Sequence, residues 1–247
     1  MILELDCGNS YVKWRIINGL SELPIADGIA SSVLDIVEDL HSRQLMANIA
    51  RCRIVSVRGD IETAEIIRTL SNMLHVKVDK ASPGCSAGSV VNGYREPERL
   101  GVDRWLAIIA AYDLCRQACV IVDLGTAITV DLVTQAGVHL GGYIAPGAAL
   151  LRGQLITHAQ RVRYDVAESS LALRDLSPGQ STAEAVERGC LIMVRSYISA
   201  QIEYAEASLG NGFKLFVTGG DMALVRDFPS AVYVPDLVFR GLAMACP

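Results

Sequence analysis

The chain has 247 residues, of which 51% are hydrophobic and 20% are charged, so it can form one large domain or two of ordinary size, each with an apolar core. Its formal net charge is −5 and no cluster of lysine and arginine stands out, which argues against nucleic acid or an anionic membrane as the main partner. The seven cysteines are odd in number and include no Cys-x-x-Cys pair, so we expect reduced thiols and no zinc site.

The first predicted element is a hairpin in residues 1–19. Two apolar strands flank a turn at Gly8, and Asp6 stands at the end of the first strand. No basic segment precedes this hairpin, and no apolar run of the chain reaches the length that a bilayer requires. We therefore expect a cytoplasmic protein.

Helices and strands then alternate as far as residue 79, which predicts an α/β domain. Apolar periodicity predicts helices at 31–44 and 61–74, and strands at 51–57 and 75–79. The next segment, 81–97, is rich in Pro, Gly and Ser, and a loop of this length usually carries a binding role or is disordered. Neither a Walker motif nor a Rossmann glycine motif occurs in the chain.

An acidic residue, Asp103, precedes a predicted helix at 106–116. An isolated acid at such a position usually complements the helix dipole. The neighbouring residues favour a functional role, because Gly101 permits close approach of a ligand and Arg104 can pair with a carboxylate or a phosphate. Tyr94 lies on the loop before them.

A second hairpin, at 118–134, repeats the pattern of the first. Its turn contains Gly125 and Thr126, whose amides and hydroxyl group can donate to phosphate oxygens. Aligning Asp123 with Asp6 also aligns Gly125 with Gly8. One such turn alone would favour an ordinary hairpin, but two with matching flanks favour phosphate binding and a duplicated architecture.

The duplication predicts two domains, 1–117 and 118–247, with a terminal helix at 237–245 that can pack back across the boundary. In the second domain we expect a glycine-rich turn at 137–147 and then a helix at 148–157. A polar linker is expected to be mainly solvated surface, and it is flanked by Arg152, Arg161 and Arg163.

A long helix is predicted to run from about Thr182 to Leu209, with Thr182 as its capping hydroxyl. A strand at 214–217 then leads into Gly219 and Gly220. Glycines after a strand suit close approach to a nucleotide base or ribose, although an ordinary strand-to-helix turn is the alternative.

Together these features resemble the superfamily of acetate and sugar kinases, actin and chaperone ATPases, and within it the type III pantothenate kinases. The resemblance runs from Asp6 to Leu242. It implies an α/β fold of two duplicated ribonuclease H-like domains that face each other across a nucleotide cleft, as in actin-like ATPases. The most specific segments are Asn92-Gly93-Tyr94, Leu100-Gly101-Val102-Asp103-Arg104, residues 123–131 and Gly141-Gly142-Tyr143-Ile144-Ala145-Pro146-Gly147.

The resemblance also implies ATP-dependent phosphorylation of pantothenate, the first step of coenzyme A biosynthesis, by a homodimer. Asp103 would be the base, Asp123 would bind a monovalent cation such as K⁺ or NH₄⁺, and Asp6 would help to place Mg²⁺ through water. ATP would contact Asp6, Cys7, Gly8, Asn9, Ser10, Tyr11, Val12, Lys13, Gly125, Thr126, Gly219 and Gly220. Pantothenate would contact Tyr94, Gly101, Val102, Asp103, Arg104 and, from across the dimer interface, Thr182.

Two other functions stay open on the residues alone. A kinase of this fold could act on another small hydroxy acid or sugar, because an Arg104 and Tyr94 pocket favours a carboxylated substrate without identifying it. The other alternative is a catalytically silent, nucleotide-binding regulatory protein, against which the intact Asp6, Asp103 and Asp123 argue. Phosphoryl transfer needs positioning, cations and one carboxylate, and this chain has the residues for that chemistry.

Overall fold

A computed structural model of the protein describes residues 1–19, 23–173 and 175–247. The strands are β1 (Ile2–Cys7), β2 (Val12–Ile17), β3 (Pro24–Ala30), β4 (Arg51–Ser56), β5 (Val78–Lys80), β6 (Ser86–Ala87), β7 (Val90–Val91), β8 (Cys119–Leu124), β9 (Ala127–Val133), β10 (His139–Pro146), β11 (Lys214–Thr218) and β12 (Ala231–Tyr233). The α-helices are α1 (Val33–Ser42), α2 (Asp60–Leu74), α3 (Val102–Cys115), α4 (Ala148–His158), α5 (Val166–Ala172), α6 (Thr182–Leu209) and α7 (Leu237–Ala245).

The chain divides into two compact units. The first unit consists of Met1–Leu114, Gly137–His139 and Asp236–Pro247, and the second of Cys115–Ala136 and Leu140–Pro235. The predicted domain boundary after residue 117 stays a prediction.

Each unit contains a five-stranded mixed sheet, and the two sheets have the same plan. The first has the order β3-β2-β1-β4-β5 and the second has the order β10-β9-β8-β11-β12. In both, the central strand is antiparallel to the next strand in the chain and parallel to the strand on its other side. The duplicated α/β fold predicted from the two hairpins is therefore confirmed.

Strand alternation places the two faces of β1 in different surroundings. Leu3 and Leu5 are fully buried in a core that also contains apolar residues of α1 and α2. Glu4 points to the other face, where it is also fully buried and accepts from Arg15 Nε at 2.6 Å and from Arg53 Nη1 at 3.0 Å. Asp6 shares that second face, since it lies two residues after Glu4.

The terminal helix α7 belongs to the first unit. Arg15 Nη1 donates to Asp236 Oδ2 at 3.0 Å, just before α7, and the Arg15 guanidinium lies 4.8 Å from the centroid of the Phe239 ring. A Cβ atom at Gly241 would overlap the backbone of Leu106, so glycine permits α7 to lie directly against α3.

In the second unit, alternate residues of β8 contribute to a core with the long helix α6. Val120, Val122 and Leu124 are buried in this core together with Val194 and Ile198. Asp123 therefore points to the opposite face of the sheet.

The structure corrects several sequence predictions. Residues 139–146 form strand β10, beside β9, instead of a glycine-rich turn. Strand β3 and helix α5 were not predicted, and the loop at 81–97 contains a short hairpin of β6 and β7. The strand expected at 75–79 starts later, because His75 ends α2 in a left-handed conformation with φ of 54°.

Two predicted roles of side chains in the second unit are also wrong. Ser181, and not Thr182, caps α6, because its hydroxyl accepts from the Glu184 amide at 3.3 Å. Arg152 is not simply solvated, because its Nη1 lies 3.2 Å from Oε2 of the buried Glu187.

All seven cysteines are free thiols, and five of them are buried. Cys115 ends α3 and Cys119 begins β8. Within the part of the chain that the structure describes, none of the helices has the length and apolar character needed to cross a membrane.

Candidate active site

The turn between β1 and β2 presents residues 8–11 at one end of the first sheet. Asp6 and Lys13 are register partners just before and after this turn. Arg58, which follows β4, donates from Nε to the Gly8 carbonyl at 2.9 Å. The next three residues of the turn are exposed: Asn9, Ser10 and Tyr11. Arg58 thus holds the start of the turn, and the residues that follow are exposed at the end of the sheet.

Asp6, in β1 just before this turn, has a pKa well above the ordinary value. Burial raises its pKa to about 6, the nearby Lys13 lowers that pKa, and the negative charge of Asp103 raises it again. An acid with this environment is costly to ionise in the absence of a cation. Asp6 and Asp103, 97 positions apart in the chain, therefore act electrostatically on the same region of the first unit.

The start of α3 holds Asp103 in a defined conformation. Its Oδ1 accepts from the Arg104 amide at 2.8 Å, and the Trp105 amide donates to the Gly101 carbonyl at 2.9 Å to begin the helix. A Cβ atom at Gly101 would lie 2.8 Å from Asp103 Oδ1. Glycine at 101 thus leaves room for the carboxylate, which is half-buried.

Arg104 and Tyr94 form a pair beside Asp103. Arg104 is buried, with 5% of its surface exposed, and its Nη1 donates to the Tyr94 hydroxyl at 2.7 Å. The guanidinium carbon also lies 5.5 Å from the centroid of the Tyr94 ring. A guanidinium group fixed in this way can receive a carboxylate or phosphate group.

The turn between β8 and β9 is the counterpart in the second unit. The Gly125 amide donates to the Ala127 carbonyl at 3.0 Å, which closes the turn and leaves Thr126 exposed. The Gly147 amide, just before α4, donates to the Thr126 carbonyl at 2.9 Å. Glycine is required at 147, since a Cβ atom there would overlap the backbone of Gly125 and Thr126.

Gly219 packs against the same turn from the end of β11. It has a φ of 98°, which favours glycine, and a Cβ atom at this position would overlap the Leu124 carbonyl and lie 2.5 Å from Asp123 Oδ1. Carboxylate and carbonyl oxygens therefore converge beside Gly219. Gly220 follows in open space, where a Cβ atom would meet no described atom within 4 Å.

Most of the sequence-predicted residues thus fall into two groups. Asp6 to Lys13, Tyr94 and Gly101 to Arg104 lie in the first unit, whereas Asp123 to Thr126 and Gly219 to Gly220 lie in the second. Thr182 is exposed and starts α6. The ligand contacts assigned to these residues stay predictions.

Four residues that support these groups were missed by the sequence analysis: Arg58, Asn92, His139 and Gly147. Arg58 follows a strand end, where polar residues often face a site, so the sequence did contain a signal for it. Asn92 and Gly147 lie in segments already singled out for the family resemblance. His139 had no local signal, because its contacts lie far away in sequence.

The two sheets of the same plan and their glycine-containing turns define a class of protein by fold, the proteins of the duplicated, actin-like α/β fold. Two solved structures illustrate this at the level of fold alone. A Campylobacter jejuni protein described as a Baf family transcriptional activator is 22% identical, with a TM-score of 0.61 over 98% of this chain and 95% of its own. The activator of 2-hydroxyisocaproyl-CoA dehydratase from Clostridium difficile is 14% identical, with a TM-score of 0.52 over 99% and 92%.

Comparison of the sequence narrows the class to one family. The family model of type III pantothenate kinase matches residues 2–204. A type III pantothenate kinase of Pseudomonas aeruginosa (strain LESB58) is 52% identical over 248 residues, covering 100% of this chain and 99% of the relative. The chain therefore belongs to the type III pantothenate kinase family and is a kinase.

Proposed function

We propose that this kinase transfers the γ-phosphoryl group of ATP to the hydroxyl group of pantothenate, the first step of coenzyme A biosynthesis, with Asp103 as the base. The observation that carries the proposal is the arrangement at the start of α3, where a carboxylate and the Arg104–Tyr94 pair lie side by side. Asp103 would accept the hydroxyl proton as the oxygen attacks the phosphorus atom, while Arg104 would hold the carboxylate of the substrate.

Asp6 is suited to a role in placing Mg²⁺. Its raised pKa, of about 6, reflects a carboxylate that is poorly compensated by the protein alone, and a divalent cation would remove that cost. Mg²⁺ usually keeps several waters and binds through one or two carboxylates and the phosphates of its nucleotide. Contact of Asp6 through water would fit so sparse a donor set, and the bound ion would offset charge on the transferring phosphoryl group.

Asp123 is suited to a monovalent cation. Its Oδ1 and the Leu124 carbonyl converge beside Gly219, and oxygen donors of these two kinds suit a hard cation such as K⁺ or NH₄⁺. The neighbouring turn, with the Gly125 amide and the Thr126 hydroxyl, would contact ATP. Gly219 and Gly220 would border the adenosine.

The active form would be a homodimer to which Thr182 contributes a pantothenate contact from the second copy. Exposed apolar side chains on α6 support an interface there, because Ile192 is 45% exposed and Met193 is 59% exposed. Light scattering coupled to size-exclusion chromatography measures the mass directly. We expect the wild type to be a dimer and Met193→Glu to be a monomer. A monomeric wild type would contradict the proposed contact of Thr182 with pantothenate.

The experiment that tests the proposal is ADP release with ATP, Mg²⁺ and pantothenate, with K⁺ present or replaced by Na⁺. Pantothenate-dependent release that requires K⁺ supports both the reaction and the cation. ADP release that is independent of K⁺ would support the reaction but contradict the proposed binding of a monovalent cation by Asp123. Absence of release, with ATP binding demonstrated, would point to a different hydroxy acid or to a silent regulatory protein.

Asp103→Asn tests the role of Asp103 as a base without removing its structural contacts. The amide keeps the shape of the side chain and its acceptor for the Arg104 amide, but it cannot take up the proton. We expect turnover to fall by about 10²–10⁴-fold with unchanged melting temperature. Asp113→Asn, an exposed acid on the same helix, is the matched control.

A further inference from the structure

A three-residue segment, Gly137–His139, belongs to the first unit although the chain on both sides of it belongs to the second. The Val91 amide donates to the Gly137 carbonyl at 2.9 Å, and Val91 forms a parallel bridge with Val138. Gly137 has a φ of 79°, and a Cβ atom there would overlap the Ser89 carbonyl. The segment therefore lies directly against the loop that leads to Tyr94.

His139 is the side chain by which this segment reaches the candidate substrate pocket. It is buried, with 1% of its surface exposed, and no role in the proposed reaction has been assigned to it. Its Nδ1 accepts from the Gly93 amide at 3.4 Å. Its ring also stacks on the Tyr94 ring, with 6.0 Å between centroids and 13° between planes. His139 thus contacts two consecutive residues of the loop.

The loop around Tyr94 has little regular structure and depends on such contacts. The Tyr94 amide donates to Asn92 Oδ1 at 3.0 Å, and Asn92 Nδ2 donates to the Gly84 carbonyl at 3.0 Å. These bonds fix the backbone, whereas His139 is packed against the ring. Tyr94 in turn accepts from Arg104, so the contacts run from His139 through Tyr94 to Arg104.

We propose that His139 is a positioning residue for recognition of the substrate carboxylate, acting through Tyr94 on Arg104. The inference rests on the proposed function of Tyr94 and Arg104. A long side chain such as Arg loses rotamer freedom when it binds, and a pocket that holds it in place beforehand binds more tightly. His139 accepts from the Gly93 amide and packs on the Tyr94 ring, and the two contacts together keep the Tyr94 hydroxyl where Arg104 needs it.

Two substitutions of similar polarity test the geometry. In His139→Asn, the Oδ1 atom can occupy the place of Nδ1 and accept from Gly93, whereas in His139→Gln the amide lies one bond further out. We expect His139→Gln to raise the KM for pantothenate about tenfold, and His139→Asn to raise it about threefold or less. In both variants kcat and the KM for ATP should stay within about twofold of wild type. His41→Gln, an exposed histidine on α1, is the matched control.

The route through Tyr94 is tested by a double-mutant cycle. If His139 acts through this ring, the effects of His139→Gln and Tyr94→Ala on the KM for pantothenate will not add, since the second change removes the group through which the first acts. Additive effects would overturn the route. Should the Gln variant not fold, His139→Leu fills the space with an apolar side chain, lacks both the flat ring and the acceptor for Gly93, and enters the same cycle.

The outcomes distinguish this inference from the proposed reaction. Pantothenate-dependent ADP release by the wild type, with an unchanged KM in His139→Gln or His139→Leu, would overturn the positioning role and leave the reaction in place. A lower kcat together with a higher KM for both substrates, to the same extent in His139→Asn as in His139→Gln, would show a merely structural role. No pantothenate-dependent release by the wild type would overturn the proposed function and this inference together.

Discussion

Arg104 Nη1 donates to the Tyr94 hydroxyl at 2.7 Å, so a neutral partner helps to orient the guanidinium group of the candidate pocket. Tyr94→Phe removes the acceptor and keeps the ring under the guanidinium group. We expect the KM for pantothenate to rise about five- to tenfold, with little change in kcat, because the lost bond orients Arg104 and is not part of the reaction. Steady-state kinetics with each substrate varied in turn measures this.

Tyr204→Phe, an exposed tyrosine on α6, controls for removal of a hydroxyl group elsewhere. An unchanged KM in Tyr94→Phe would show that the hydroxyl does not orient Arg104.

Arg104→Lys should impair substrate binding more than Tyr94→Phe does. We expect the KM for pantothenate to rise by about 10–100-fold, because an ammonium group cannot pair with a carboxylate through two parallel bonds.

Asp6 is expected to destabilise the protein in the absence of nucleotide and metal. Its pKa of about 6 in the folded state exceeds the ordinary value of 3.8, so the folded state holds the proton more tightly than the unfolded state does. Stability should therefore fall as the pH rises from about 4 through 6. Asp6→Asn should raise the melting temperature at pH 7.5 by about 2–4 °C and change it little near pH 4, while turnover is lost.

Glu65→Gln, an exposed acid on α2, is the control for this pH series and should show no such difference. A lower melting temperature of Asp6→Asn at pH 7.5 would mean that the ionised carboxylate is stabilised by the folded protein. The opposite signs expected for stability and turnover would mark Asp6 as a residue kept for cation chemistry rather than for folding.

The duplicated sheets could be predicted because each acid-x-Gly turn lies between strands with a clear apolar pattern. Strand β3 lacks that pattern, because it is an edge strand whose side chains are half-buried or exposed. Within it, only glycine fits at position 28, because a Cβ atom there would lie 2.8 Å from the Trp14 indole nitrogen, and this constraint comes from tertiary structure. For β10, pairing with β9 overrides the turn preference of Gly141 and Gly142.

The candidate site was predictable where chemistry-bearing residues cluster in sequence, as from Gly101 to Arg104. It was not predictable where support comes from distant residues. The Gly93 amide and His139 are 46 positions apart, and Arg58 Nε and the Gly8 carbonyl are 50 positions apart. Only the folded chain brings such pairs together, so the sequence carries no local signal for His139 and, for Arg58, only its position after a strand end.

Glu187 is expected to hold together the helices of the second unit. It is 3% exposed and accepts from Ser169 Oγ at 2.7 Å, from the Tyr164 hydroxyl at 3.0 Å and from Arg152. Glu187→Ala would leave these donors without their acceptor. We expect a loss of about 3 kcal/mol and a melting temperature lower by about 6–12 °C. Glu203→Ala, exposed on the same helix, should change stability by less than about 0.5 kcal/mol. Equal melting temperatures for the two variants would contradict this role.

Substitution of two glycines, Gly147 and Gly153, tests whether the backbone at Gly147 must lie close to the β8–β9 turn. A Cβ atom at Gly147 would overlap the Gly125 carbonyl, whereas one at Gly153, inside α4, would meet no described atom within 4 Å. Gly147→Ala should therefore displace the turn, lower stability by about 1–3 kcal/mol and raise the KM for ATP, while the KM for pantothenate changes less. Gly153→Ala should keep both KM values and gain up to about 1 kcal/mol, since alanine favours the helix. If Gly147→Ala bound ATP as tightly as the wild type, the turn that carries Thr126 would not be part of the nucleotide site.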